Sequence, residues 1–260
     1  MSAALLIILL LGGVLGLSVG LVGTGSVLAV PLLMYGGGLD VHSAVCVSML
    51  TMTFLGLTGT IQKLRAGAID LQAATVIAIF GALFAPLGAW LNKQLRPVVL
   101  LVLFALVVLT IGIRMLLQRE ADAKRLRQSP RDAVKACGVT VFGSGAAGAV
   151  IGWLGGLLGI SGGFIAVPVL VTYQGLEMHR AVATSWAIVA LVSASATAGH
   201  FVAGQRVPLG DALLFLIGGV IGFEVAVRVA HGFSDWGLRR LFGVAILIMS
   251  IVMLVRLVAA

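Results

Sequence analysis

Residues Gly159–Pro168 read GISGGFIAVP, and they lie inside a long apolar run. Glycine costs a helix about 1 kcal/mol relative to alanine, and proline removes a main-chain donor. In lipid a broken helix leaves polar main-chain groups without water to satisfy them. It survives only where the break is buried in protein or lines a polar cavity. The same phrase occurs earlier, as VGTGSVLAVP at Val22–Pro31. Two broken helices at matching positions are the sequence signature of a site built from discontinuous membrane helices.

Composition supports a membrane setting. Of 260 residues, 60% are hydrophobic and 10% charged, and the mean hydropathy is +1.18. A soluble domain carries roughly 25% charged residues. So much apolar surface requires lipid around it, and nucleic-acid binding is set aside despite a net charge of +8. In such a chain the placement of Lys and Arg reports orientation. Cys46 and Cys137 read as small packing residues rather than a disulfide framework. The apolar N-terminus has no basic n-region, so it reads as a first membrane helix rather than a removed signal.

Hydropathy outlines apolar spans at 3–22, 44–61, 71–91, 98–117, 138–158, 181–203, 209–231 and 237–258. Two pieces, 27–35 and 164–173, follow the glycine phrases and are too short to cross a bilayer, which takes about 20 residues. Pro31, His42, Gly67 and Gly81 match Pro168, His179, Gly204 and Gly218, each 137 residues on. Before the phrase, Gly12, Gly16 and Gly20 match Gly148, Gly152 and Gly156 at 136. We therefore expect an all-α polytopic protein of two homologous four-segment halves, 1–117 and 137–260, joined by a basic linker, 118–136. The glycine series is a small-xxx-small ladder that packs helices closely.

The linker carries six Lys/Arg against three acids between Gln118 and Lys135, which places it in the cytoplasm. Four full spans per half would put Arg239 and Arg240 outside. If each phrase instead folds back part-way, each half has an odd number of passes. The halves are then inverted, and these arginines lie inside. Our reading favours inverted halves with re-entrant segments. Reporter fusions at Gln205 and Ser234 separate the two models.

The chemistry of the breaks suits a small anion. Glycines permit a tight turn and close approach of the backbone, and a short helix starting there points free N–H groups and its positive dipole end at the site. Pro31 and Pro168 then fall about one turn into the short helices. The candidate substrate-binding residues are Gly23, Thr24, Gly25, Ser26, Ser161, Gly162 and Gly163, with Ser48, Thr184 and Ser185 shortly after the breaks. Hydroxyls in a helix often bond to their own backbone. That alternative stays open, as does pure packing for the glycines.

The paired AVP phrases, the segments His42-Ser43-Ala44-Val45 and His179-Arg180-Ala181-Val182, and the following Ala183-Thr184-Ser185 resemble the TauE/SafE family of membrane permeases, from about Gly12 to Val255. The second half fits its glycine triplet best. In the first half Thr24 and Ser26 stand where glycines are usual, and Cys46-Val47-Ser48 replaces ATS. The resemblance implies a secondary transporter of sulfite or a small organosulfonate, exporting it across a bacterial inner membrane with ion or proton coupling. A passive anion channel, or an uptake permease for thiosulfate or sulfate, is the alternative.

Other polar residues in the spans are functional candidates by default. Glu224 and Arg228 lie four apart, an order that favours a pair on one helix face. They are a structural pair or a tuned proton carrier. His200 either caps its span or donates to an anion and relays protons. Asp40 and Glu177 read as helix N-caps. No His/Cys/Asp/Glu cluster has metal-ligand spacing and no phosphate loop occurs, so we expect no metal, cofactor or nucleotide. An enzyme using Cys46 lacks an activating base beside it in sequence. The expected partners are the anion, the bilayer and a second copy in a homodimer.

Overall fold

A computed structural model describes residues 3–22, 25–117, 137–205 and 207–229, with Val244 and Met253. The linker 118–136, the phrase residues Gly23 and Thr24, the arginines at 239 and 240 and most of the last apolar span lie outside the described residues. Everything regular among the described residues is helical. The first helix, α1, runs Ala3–Val22. Past the break come a 3-10 turn (Gly25–Leu28), a short α2 (Ala29–Pro31) and a widened π turn (Leu32–Gly36). Then follow α3 (Val41–Arg65), α4 (Leu71–Gln94) and α5 (Pro97–Leu117). The second half contributes α6 (Cys137–Leu158), α7 (Gly163–Gln174), α8 (Met178–Val202) and α9 (Leu209–Val229). Val41–Arg65, Leu71–Gln94, His179–Val202 and Leu209–Val229 are long and apolar enough to cross a membrane.

The helix starts follow ordinary capping. The carboxylates of Asp40 and Asp70 accept from the N–H groups of Ser43 and Ala73, each at 3.1 Å. Glu177, expected to cap in the same way, occupies the N-cap of α8 without a side-chain bond. Pro168 sits past the first turn of α7, whereas Pro31 closes the three-residue α2. Pro168 is five residues beyond Gly163, and Pro31 precedes the π turn. A proline there removes a helical hydrogen bond, and a widened turn is one way to accommodate it.

The glycine ladders are packing surfaces. A Cβ at Gly12 or Gly16 would run into the main-chain carbonyls of Phe215 or Gly219, and one at Gly20 would stand 2.6 Å from the Ala226 Cβ. In the other half, Gly148, Gly152 and Gly156 press on the carbonyls of Ile77, Gly81 and Ala85. The first helix of each half therefore lies directly on the fourth segment of the other, and the paired numbers rise together, so each pair is parallel. Without a hydrophobic drive between helices in lipid, such backbone contact supplies the dispersion energy that holds them.

The central pair is α3 with α8. Gly59 packs on the ring of Trp186, Gly56 on the backbone of Ala190, and the Thr53 and Thr197 hydroxyls are 3.5 Å apart. Here one number rises as the other falls, so these two helices are antiparallel. Gln174 at the end of α7 donates to Ser144 near the start of α6 at 3.0 Å. Helix α6 with α7 is thus a hairpin whose tip is the glycine phrase. At 12 residues, or roughly 18 Å, α7 is too short to cross.

Two ends of the molecule follow from these directions. One, the His42 end, gathers the start of α3 and the ends of α4, α6 and α8. The other, the Asp70 end, gathers the start of α4, the start of α8 and the end of α3.

Candidate functional site

The turn between α6 and α7 carries two left-handed glycines, Gly159 at φ +76° and Gly162 at φ +70°. Each is also fixed by space. A Cβ on Gly159 would lie 2.8 Å from Val30 Cγ2 and 3.2 Å from Val45 Cα, and one on Gly162 would collide with Ile151. The Val30 contact brings the first half's short segment against the second half's break. Ser48 on α3 donates to the Gly159 carbonyl at 2.9 Å, and Gly159 N–H returns to the Gly155 carbonyl. Ser161 is 3% exposed.

The donors left over define the chemistry. The N–H groups of Ile165 and Ala166 both reach the Gly162 carbonyl, but those of residues 160–163 donate to no main-chain acceptor among the described residues. Gly162, at the N-cap, offers no side chain. A buried row of N–H groups at a helix start is an arrangement that takes an anion.

The candidates separate. Ser48, Ser161, Gly162 and Gly163 gather at this turn. Ser26 is buried beside Val27 on the first-half segment, whose 3-10 turn opens at Gly25. Thr184 lies at the Asp70 end, where its Oγ1 accepts from Asp70 N–H at 3.0 Å. Ser185 and Thr51 bond to carbonyls of their own helices, as does Thr53. Glu224 and Arg228 do pair, at 3.1 Å, with side chains 44% and 75% exposed, and Gln62 adds a bond to Glu224 at 3.0 Å.

The His42 end holds a polar cluster that sequence reading did not assemble. Asn92 Nδ2 donates to the Leu157 carbonyl at 2.7 Å, one turn before the break. Asn92 Oδ1 then faces Gln205 Nε2 and His42 Nδ1, both at 3.0 Å. Gln205 Oε1 faces Cys46 Sγ at 2.7 Å and His200 Nδ1 at 2.9 Å. Lys93 Nζ donates to the Ala203 carbonyl. Of this group only His200 was singled out as a candidate. Gln205 had read as an exposed connection fit for a reporter, yet it is the hub of the cluster. Its partners lie 5, 113 and 159 residues away in sequence, and no periodicity reports such pairing. Cys46 is buried and gives its S–H to an amide oxygen, which is no base.

Hydrogen-bond logic fixes the proton positions. A main-chain carbonyl only accepts, so Asn92 must present its NH2 to Leu157 and its oxygen to the interior. Gln205 must then present NH2 to Asn92 and oxygen to Cys46 and His200. Both of those are therefore donors, and His200 carries its proton on Nδ1. The ring is 1% exposed and its Nε2 makes no hydrogen bond.

Long apolar helices, direct glycine-mediated packing and a buried broken-helix turn define a multi-pass membrane transporter. The family model described as "Sulfite exporter TauE/SafE" matches residues 8–253, and the chain belongs to that family. It is 28% identical to a "Probable membrane transporter protein" of Xylella fastidiosa (strain 9a5c), over 92% of this chain and 91% of the relative. It is also 28% identical to "Probable membrane transporter protein YunE" of Bacillus subtilis (strain 168), over 79% and 80% of the two chains. No solved structure matches.

Proposed function

We propose that this transporter carries a small sulfur-containing anion, sulfite or a small organosulfonate, out across a bacterial inner membrane by ion-coupled alternating access. The observation that carries the reading is the buried Gly159–Gly163 turn, in which the N–H groups of residues 160–163 have no main-chain partner among the described residues. An anion seated there would complete those bonds without a fixed positive charge holding it too tightly. The name of the family, sulfite exporter, supports the substrate class. Ser161 would add a hydroxyl donor, and the first-half residues Gly23, Thr24, Gly25 and Ser26 would face it from the other break.

We read the two halves, 1–117 and 137–260, as inverted about the membrane plane. The opposite directions of α3 and α8 support that reading, because repeat-equivalent helices then enter from opposite sides. One half rocks against the other around a fixed site. The chain acts as a carrier rather than an enzyme, and a homodimer is the assembly we propose.

Flux of labelled sulfite and sulfonates in proteoliposomes tests the reading, comparing wild type with Ser161→Val and with or without a pH gradient. Wild type should show trans-stimulated exchange, and the valine variant should fold but lose most of it. Flux without trans-stimulation would make the protein a channel. A folded wild type that moves none of these anions would remove the substrate assignment, with thiosulfate and sulfate tried next.

A further inference from the structure

The cluster at the His42 end ends in an unsatisfied atom. Asn92 fixes Gln205, and Gln205 fixes His200 as an Nδ1 donor. That leaves Nε2 of a 99% buried ring with a bare lone pair and no partner. An orphaned polar atom at such depth is rare and calls for a reason. The Gly156 carbonyl lies beside the ring, in the last turn of α6. Helix α6 stops at Leu158, and no N–H of residue 160 comes back to Gly156. Neutral His200 therefore sets a lone pair against a carbonyl oxygen. Protonated His200 has an N–H to offer it, and charge-assisted bonds are the stronger ones.

We propose that His200 is the proton-binding site of this carrier, and that its protonated Nε2 closes onto the Gly156 carbonyl and stiffens the glycine turn where the anion sits. This rests on the anion reading of the turn given above. The coupling is reciprocal. An imidazolium bonded to Gly156, which lies three residues before Gly159, attracts an anion to the turn, and a bound anion favours the imidazolium by the same factor. Proton and anion then load together, one positive charge with one negative. The fixed neighbours do little to hold the proton permanently. From α3 the ring is faced by His42 and, through Gln205, by Cys46, while Lys93 on α4 commits its ammonium to the Ala203 carbonyl. Helix α6 brings no titratable group at Gly156 or Leu157. No carboxylate bonds to the ring, so the proton leaves when the anion does.

The test uses the intact protein in lipid nanodiscs with nitrogen-15 labelled histidine, and His200→Gln to assign the ring. At high pH the His200 signal should be the Nδ1–H tautomer with bare Nε2. Acidification should protonate Nε2, and saturating sulfite should shift that titration upward, by about one pH unit for a tenfold coupling. An Nε2–H tautomer at high pH, or a ring that stays uncharged from pH 4 to 9 with and without sulfite, overturns the proposal. Flux gives an independent arm. His200→Gln should lose the dependence of flux on the pH gradient, and a variant whose gradient dependence equals wild type also overturns it. If the ring titrates as described but sulfite neither shifts it nor is transported, the substrate reading fails and the proton site stands on its own.

Discussion

The two ends of the molecule are built from helices at matching sequence positions, yet among the described residues only one carries a buried polar cluster. At the His42 end, Cys46, Asn92, His200 and Gln205 tie three helices and a loop to the last turn of α6. Positions 137 residues away hold Ala183, Val229, Lys63 and Ala68. At the Asp70 end the polar contacts are shallower. Thr184 accepts from the Asp70 N–H, Arg180 stands 3.8 Å from the Asp70 carboxylate, and Gln62, Glu224 and Arg228 meet on an open face. The two parts of the sequence share matched glycines, prolines and histidines, whereas among the described residues the hydrogen-bonding chemistry stands beside one break. In the carrier proposed above, two similar halves rock and a single site senses the proton.

Six substitutions, in four comparisons, probe this contrast, taken in order of size. The ladders are shared by both halves, so Gly16→Leu and Gly152→Leu should be equally severe. Each drives a side chain into a carbonyl of the opposing helix, a loss above about 4 kcal/mol, seen as absence of folded protein on size exclusion. If one ladder tolerates leucine, the halves do not share the packing described here. The next effect belongs to the His42 end alone. Asn92→Ala strips partners from the Leu157 carbonyl, Gln205 and His42, and should cost about 2–4 kcal/mol, read from thermal melts in detergent. Val229→Ala, its repeat counterpart, should cost less than half as much, and equality would erase the asymmetry.

Smaller effects lie at the surface. Partial burial pushes the Asp40 carboxyl up, but bonds from the Ser43 side chain and N–H and the charge on His42 outweigh it, so the group titrates below its ordinary value of 3.8. A lowered carboxyl stabilises the fold at pH above the unfolded value and loses that contribution as pH falls through the folded one. Asp40→Ala should therefore cost about 1 kcal/mol near neutral pH, with the gap to wild type closing in acid melts. Last, Glu224→Gln should change stability by less than about 1 kcal/mol and leave the pH profile of transport intact. A flattened profile would move the proton site from the His42 end to the Asp70 end.

Much of the frame is legible in the sequence because lipid imposes simple rules. Apolar length marks α3, α4, α8 and α9, and the four-residue glycine spacing marks the faces of α1 and α6 that meet another backbone. The GISGGFIAVP phrase announces its own break, since Gly159 and Gly162 must both adopt left-handed backbone under crowding. The cluster is not legible. Asn92 sits in the last turn of a span, where polar residues are ordinary, and Gln205 in a loop, where they are expected. Their meaning lies in contacts between segments distant in sequence. The lone signal was His200 in an apolar run.

The most direct test of the central claim, that the Gly159–Gly163 turn holds the anion, is a structure determined with selenite, the selenium analogue of sulfite, and anomalous diffraction at the selenium edge. The account predicts a peak within hydrogen-bonding distance of the Gly163 and Phe164 N–H groups. A protein that transports selenite yet shows the anion elsewhere, with the turn empty, would contradict it.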